Sequence, residues 1–449
     1  MLPSSPIEFL IFIQGLLLLL VALAFASYYL GIRKTKHGII AALLLSLSVL
    51  SIASPLLLNR STERVNEIVE PYKYNIAGWE IGNASAQLLQ RMTHPFSRPN
   101  ATSEDSITKL KNFFEVNRQI SRARSELATA EARAQTSAVS TNVSTLSELH
   151  TKQANLKFDA ELILERLVAQ EAQKEGLTRG FLGLRFMWPP VGIAIEDRPS
   201  VLAVSPRDHI ALETSVLLNS GISRDTREAI ESEIATLELS GLVVGIGGVA
   251  TYPAILPDDG DLQSALEIAT HEWLHHYLYF HPLGRNYFSS GQMTSINETV
   301  ANMWGKEIGK RLYCRYFVTC APEMGVGATA DRPPPPPPGA FDFNREMRAT
   351  RLRTDQLLKD GKIQEAEEYM ESRRKLFVEK GYTIRKLNQA YFAFHGSYGD
   401  EPSVVSPIGD MLRLIRANNA TIGDFVRQAQ EFGSTEEFDA AFAEIKAAG

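Results

Sequence analysis

A chain of 449 residues with 44% apolar side chains has material for roughly two to four domains, each with its own core. Its net charge of -6 excludes a basic surface built for nucleic acid, and its two cysteines exclude a disulfide scaffold and a cysteine-lined metal framework.

Residues 7–30 form an apolar run broken only by Glu8 at its edge, Gln14 and a few small polar residues, and residues 38–58 form a second. Each is long enough to span a bilayer. The expectation is a transmembrane helical hairpin, residues 1–60, that meets the bilayer through 7–30 and 38–58, with a buried hairpin of a soluble fold as the alternative. A cleaved signal peptide fits less well, because no basic residue precedes the first run and a second run follows at once. Arg33, Lys34 and Lys36 sit in the connecting loop, so the positive-inside rule puts that loop in the cytoplasm and the rest of the chain outside it.

Residues 61–180 are polar, with helical pattern at 107–134 and 147–175 and a Ser/Thr/Val-rich loop at 136–147. They read as a helical hairpin or stalk, whose mixed charges, such as Arg122, Arg124, Glu126, Glu131 and Arg133, form a solvated face. From Phe181 the pattern turns to short β-rich runs at 191–195 and 201–205, then a helix at 224–239 and a strand-like run at 242–253. In that last run Gly245, Gly247 and Gly248 allow close backbone approach. They are no dinucleotide fingerprint, since Pro253 and Pro257 interrupt any helix after them.

Residues 262–280 carry a helical pattern containing His271, Glu272, Trp273, Leu274 and His275. Two histidines at i and i+4 share one helix face, so both imidazoles reach one metal ion. A catalytic zinc needs a third protein ligand and an open fourth position. Glu298 is the first choice, on a second helical segment at 294–312 whose apolar residues Ile296, Val300, Met303, Trp304 and Ile308 repeat at helical spacing. Glu272 is turned about 100° from His271, off the ligand face, where it serves as general base toward a metal-activated water. The bland alternative is a chance match in a solvated helix, but the uncharged Ile268, Ala269, Thr270, Trp273 and Leu274 suit a buried one. His276 points away from the ligand face and reads as structural. His281, just before Pro282, reads as a helix-end residue.

Cys314 and Cys320 could close a small disulfide loop or be two buried thiols. Six prolines at 333–338, flanked by glycines, make residues 331–340 a polyproline linker. Beyond it, helical pattern recurs at 344–359, 363–380, 384–394, 408–417 and 422–432.

The HExxH at 271–275, followed by Asn297, Glu298 and Ala301, resembles the gluzincin metallopeptidases, the thermolysin and zinc-aminopeptidase group. The resemblance covers roughly residues 240–312. It implies Zn2+ on His271, His275 and Glu298, Glu272 as the base, and a peptide or protein substrate that pairs with an edge strand at 242–253. It departs from the thermolysin pattern at Asn302, where an Asp orienting a ligand histidine is replaced by an amide. The strand at 242–253 lacks the acidic residue that zinc aminopeptidases use for a free amine, which weakens an exopeptidase reading. The stretch 387–398 looks like a motif near the end of bacterial predicted aminopeptidases. Since gluzincins draw an oxyanion donor from the C-terminal part, His395 and Tyr398 are the candidates. The pattern is also similar to the metzincin HExxHxxGxxH with His281 as third ligand, except that Leu278 stands in place of the glycine that releases the chain from the helix.

The expected fold is α+β and mainly helical: the transmembrane hairpin, the stalk at 61–180, an extracytoplasmic zincin-like domain at 181–330, the linker, and a C-terminal helical subdomain at 341–449 closing the cleft. The expected function is a membrane-anchored zinc metallopeptidase. The alternatives are an inactive zincin-like binding or scaffold protein, and a membrane-embedded protease. The latter is at odds with the charges of Asp258, Asp259, Asp261, Glu267, Arg285 and Lys306 around the motif.

Overall fold

The computed structural model describes residues 60–80, 82–83, 100–133, 136–181, 184–318, 320, 340–396, 399 and 406–448. Helix α1 (Arg60–Val69) is followed by two long helices, α2 (Glu104–Ala132) and α3 (Thr136–Lys174), packed on each other. The loop expected at 136–147 is instead the first part of α3. Hydroxyl residues weaken a helix by seeking other backbone partners, yet here they bond along it. Thr141 donates to the Ser137 carbonyl at 3.0 Å, and Thr151 to that of Ser147 at 3.0 Å. The hairpin is built into the main core, as in the packed form of the two arrangements the sequence leaves open. Leu110, Phe113, Ile163 and Leu164 share that core with Trp273, Ile296, Leu412 and Phe425.

Three small sheets follow. Strands β1 (Arg179–Phe181) and β2 (Leu184–Phe186) pair antiparallel. Strand β3 (Ile193–Glu196) pairs in parallel with β7 (Ala254–Pro257), Ile195 opposite Leu256. Strands β4 (Ser200–Pro206), β5 (Thr214–Leu218) and β6 (Leu239–Gly245) form an antiparallel sheet with β4 in the middle, Leu202 lying between Val216 and Val243. Helix α4 (Arg224–Ala235) and α1 cover it, and Val65, Val69, Ile230, Ile234 and Val243 fill a second core.

Exposed strand edges invite pairing with other chains, and here glutamates from neighbouring helices occupy them. Glu161 and Glu165 on α3 accept from the β3 amides of Ile195 (2.8 Å) and Ile193 (2.9 Å). Glu231 on α4 accepts from Val243 of β6 at 2.7 Å, the Val243 carbonyl accepts from Arg385 at 3.0 Å, and the Gly241 carbonyl accepts from Asn388 at 3.0 Å. The strand expected over 242–253 runs instead over Leu239–Gly245, and its outer edge is already taken at Gly241 and Val243.

Burial pushes the Glu161 carboxyl up to about 7, against the opposing pull of the Ile195 amide and Lys157. An acid whose folded pKa is raised contributes stability that is full below the ordinary carboxylate range and is lost as pH rises through 7. Glutamine keeps the acceptor and carries no charge. Glu161→Gln is expected to match wild type at pH 4 and to exceed it at pH 8 by on the order of 2 kcal/mol in denaturant unfolding. An equal difference at both pH values would contradict this.

The remaining helices are α5 (Leu262–Leu278), α6 (Pro282–Arg285), α7 (Gly291–Tyr316), α8 (Phe343–Lys359), α9 (Ile363–Glu379), α10 (Gln389–His395), α11 (Ile408–Ala417), α12 (Ile422–Ala429) and α13 (Thr435–Ala448). The last was not expected from the sequence; it packs on α11 through Phe438. Helices α11 and α12 pack against α7, while α10 lies on β4 and β6. Cys314 and Cys320 are joined in a disulfide, with Cα atoms 5.3 Å apart, that ties the end of α7 to the chain after it.

The chain is mostly helical with small sheets, but the transmembrane element of the expected fold is corrected. No described helix is long and apolar enough to cross a membrane: α2 and α3 have the length, at 29 and 39 residues, but are charged along it. The two apolar runs, 7–30 and 38–58, lie outside the described residues, as do residues 331–339 of the expected linker. The bilayer contact and the extracytoplasmic placement rested on those runs, and no described helix supplies a span to support them.

Candidate metal centre

Helix α5 begins where Asp261 accepts from the Ser264 amide at 3.0 Å, and α7 where Ser290 accepts from Met293 at 3.1 Å. The two run antiparallel, with Glu267 against Gly309, His271 against Gly305 and His275 against Asn297. A Cβ on Gly305 would lie 2.8 Å from the Glu267 carbonyl oxygen and 3.0 Å from the His271 Cβ. A Cβ on Gly309 would lie 2.6 Å from the Glu267 Cα. The glycines thus let the α7 backbone lie on α5, and Thr270 donates across the seam to the Gly305 carbonyl at 3.2 Å. Trp273 and Trp304 pack nearby, with ring centroids 6.1 Å apart.

On this seam the side chains of His271, His275 and Glu298 converge. His271 Nε2 and His275 Nε2 are 3.0 Å apart, and Glu298 Oε2 lies 3.6 Å from the first and 3.5 Å from the second. A tetrahedral ion with bonds of ~2.0–2.1 Å has ligand–ligand edges of roughly 3.3 Å, so this triangle suits one face of such a site.

Asn297 decides which ring nitrogen of His275 faces the centre. Its amide nitrogen donates to the Leu283 carbonyl at 3.3 Å, so its Oδ1 is the atom 2.9 Å from His275 Nδ1. In the neutral ring that Nδ1 must carry the proton, which leaves the Nε2 lone pair aimed inward. Glu298 Oε1 accepts from the Tyr287 hydroxyl. Its Oε2 is buried and has no hydrogen-bond partner, the histidine nitrogens being too far for one. An orphaned carboxylate oxygen beside two ring nitrogens is a donor set that a zinc ion fits.

Burial by itself would depress His275, but the Glu298 carboxylate raises it to about 9. The histidines in turn hold Glu298 far below the usual carboxylate range despite its burial. Without metal, His275 is therefore held protonated beside the Glu298 carboxylate, and a cation entering the centre takes the place of that proton.

Glu272 is buried beside His271, His275 and Glu298. Burial pushes its carboxyl up, the Glu298 charge adds to this, and the two histidines oppose it. The chain after β6 comes directly onto it: a Cβ on Gly248 would lie 2.5 Å from Glu272 Oε1. Only glycine lets the rim approach the carboxylate so closely.

The other candidates are not part of the converging cluster. His281 stacks on Tyr277 at 4.7 Å and is not in the converging set, which among the described residues is made of His271, His275 and Glu298. His276 lies edge-on to Tyr252, with centroids 5.6 Å apart, and burial lowers it to about 4. Asn302, the position that departs from the thermolysin pattern, is not the acceptor for His275; Asn297 is. His395 ends α10, packed on Tyr391 at 4.3 Å, and burial pulls its pKa down to about 4. Tyr398 lies outside the described residues, but the amide of Gly399 after it donates to Thr299 Oγ1 at 2.8 Å, one residue from Glu298.

Sequence reasoning missed the bond from Asn297 to His275, the part of Tyr287 and the Gly305/Gly309 pair. The glycine pair had a signal, two glycines four apart on the face of Ala301 and Glu298; Tyr287 had none. No protein-family model matches the chain, and no curated protein or solved structure does either, so the geometry of this centre is the ground for a function.

Proposed function

We propose that the chain is a zinc-dependent metallopeptidase with the metal on His271, His275 and Glu298. The observation that carries this is the bare, buried Glu298 Oε2 between two imidazole nitrogens, one of them fixed in tautomer by Asn297. Zinc held there supplies a Lewis acid that polarises a carbonyl and acidifies water. The rest falls to the protein's own residues. Glu272, made more basic by burial, takes up a proton from the attacking water and returns it to the leaving amine. Gly248 and the chain beyond Gly245 offer main-chain groups beside that carboxylate, where an extended peptide would lie. His395, neutral at physiological pH, and Tyr398 are the proposed donors to the developing oxyanion.

The test is metal content and peptide hydrolysis of the purified full chain, with Glu298→Ala and His281→Ala beside wild type. Wild type and His281→Ala are expected to hold about one zinc per chain and Glu298→Ala to lose it. Loss only in His281→Ala would reverse the ligand assignment, and a wild type without metal would leave a scaffold protein as the better reading.

A further inference from the structure

We infer that Tyr287 is a positioning residue that makes Glu298 bind metal through one oxygen only, and so keeps a coordination position open for a reactant. This rests on the metal-dependent reading above. Tyr287 lies between α6 and α7, and its main chain is held on both sides. Its amide donates to the Gly284 carbonyl at 3.2 Å, and its carbonyl accepts from Thr294 Oγ1 at 2.7 Å. The turn has no slack, since a Cβ on Gly284 would lie 2.1 Å from the Leu278 carbonyl oxygen at the end of α5. The ring stands edge-on to His275, with centroids 6.2 Å apart, and packs on Phe288 at 4.5 Å.

From that fixed place the phenol donates to Glu298 Oε1. The carboxylate is left with Oε2 toward the histidines and Oε1 turned to the tyrosine. A glutamate free to rotate presents both oxygens to a cation and fills two positions around it. One committed to a phenol presents a single oxygen. A zinc site with three single-atom ligands has room for a fourth, which separates a catalytic centre from a closed structural one. Tyr287 acts on coordination through Glu298 and need not touch substrate.

The experiment uses Zn2+ and Co2+ as probes on the metal-free full chain, wild type against Tyr287→Phe. The phenylalanine keeps the ring and its packing and removes only the donor. Expected results are an unchanged melting temperature of the metal-free protein, Zn2+ binding weaker by roughly 10–100-fold, and a Co2+ visible absorption that weakens as coordination number rises. Equal affinity and an identical Co2+ spectrum in the two proteins would overturn the inference. So would a fall in metal-free melting temperature large enough to account for the lost affinity.

If the variant does not fold, the wild type alone still decides. In the infrared difference between zinc-loaded and metal-free protein, a wide splitting of the carboxylate stretches marks binding through one oxygen, and a narrow splitting overturns the inference. A wild type that takes up neither metal removes the zinc reading and this inference together. Metal uptake with a narrow splitting removes this inference alone.

Discussion

Glu272→Gln is expected to keep its zinc and to lose peptide hydrolysis by roughly 10²–10⁴-fold in kcat, the range that a positioned general base contributes. The side chains have the same shape, so the contact with Gly248 and the packing of α5 survive the change. What disappears is the proton acceptor. The same substitution removes a carboxylate whose burial disfavours its charge. Stability at neutral pH should therefore hold or rise, and a lost activity is not then a lost fold. Metal content, kcat and melting temperature measured on one preparation test all three statements. A glutamine variant that still turns over at the wild-type rate would place the base elsewhere.

Gly305→Ala is expected to damage the centre without touching a ligand. The added methyl meets the Glu267 carbonyl and the His271 Cβ, neither of which is the loose end of a side chain. Helices α5 and α7 must part by some tenths of an ångström, and overpacking of this kind costs about 1–3 kcal/mol. The ligands sit on opposite sides of that seam, two on α5 and one on α7. Parting the helices stretches the 3.5 and 3.6 Å separations between Glu298 and the histidines. Zinc affinity should fall by at least ~10-fold, as it does when supporting groups around a metal are removed. Chelator competition reads the affinity. An alanine variant with wild-type affinity would mean that the seam does not set the ligand spacing.

The part of the centre legible in the sequence is the part that helix periodicity dictates. His271 and His275 fall on one face because a helix has 3.6 residues per turn, and the same period marks Glu298 as lying on a second apolar helix. Tyr287 was not legible, since it reaches the site through the turn after Pro282–Arg285, and periodicity says nothing about where a turn sends the chain. Asn297 was visible on the second helix, but its bond to His275 depends on how α5 and α7 pack. Local propensity also misled at 136–147, where hydroxyl residues suggested a loop and bonded along the helix instead. The edge of β6 shows the same limit. Its length could be guessed, but its occupation by Glu231, Arg385 and Asn388 depends on contacts with residues up to 147 positions away.

Asn297, Glu298 and Thr299 also spell the tripeptide that oligosaccharide transfer reads in secretory compartments. In the folded protein Asn297 is 1% exposed and its amide is committed to His275 and Leu283. A sugar could be attached only before α5 and α7 close, and once attached it would keep them apart. In a host that exports the chain into such a compartment, glycosylation and maturation would thus compete for the same nascent chain and yield two populations, one of them with α5 and α7 held apart. The usual remedy of replacing the threonine carries its own penalty, because Thr299 on α7 accepts the hydrogen bond from the Gly399 amide. A host without that transfer machinery avoids both problems.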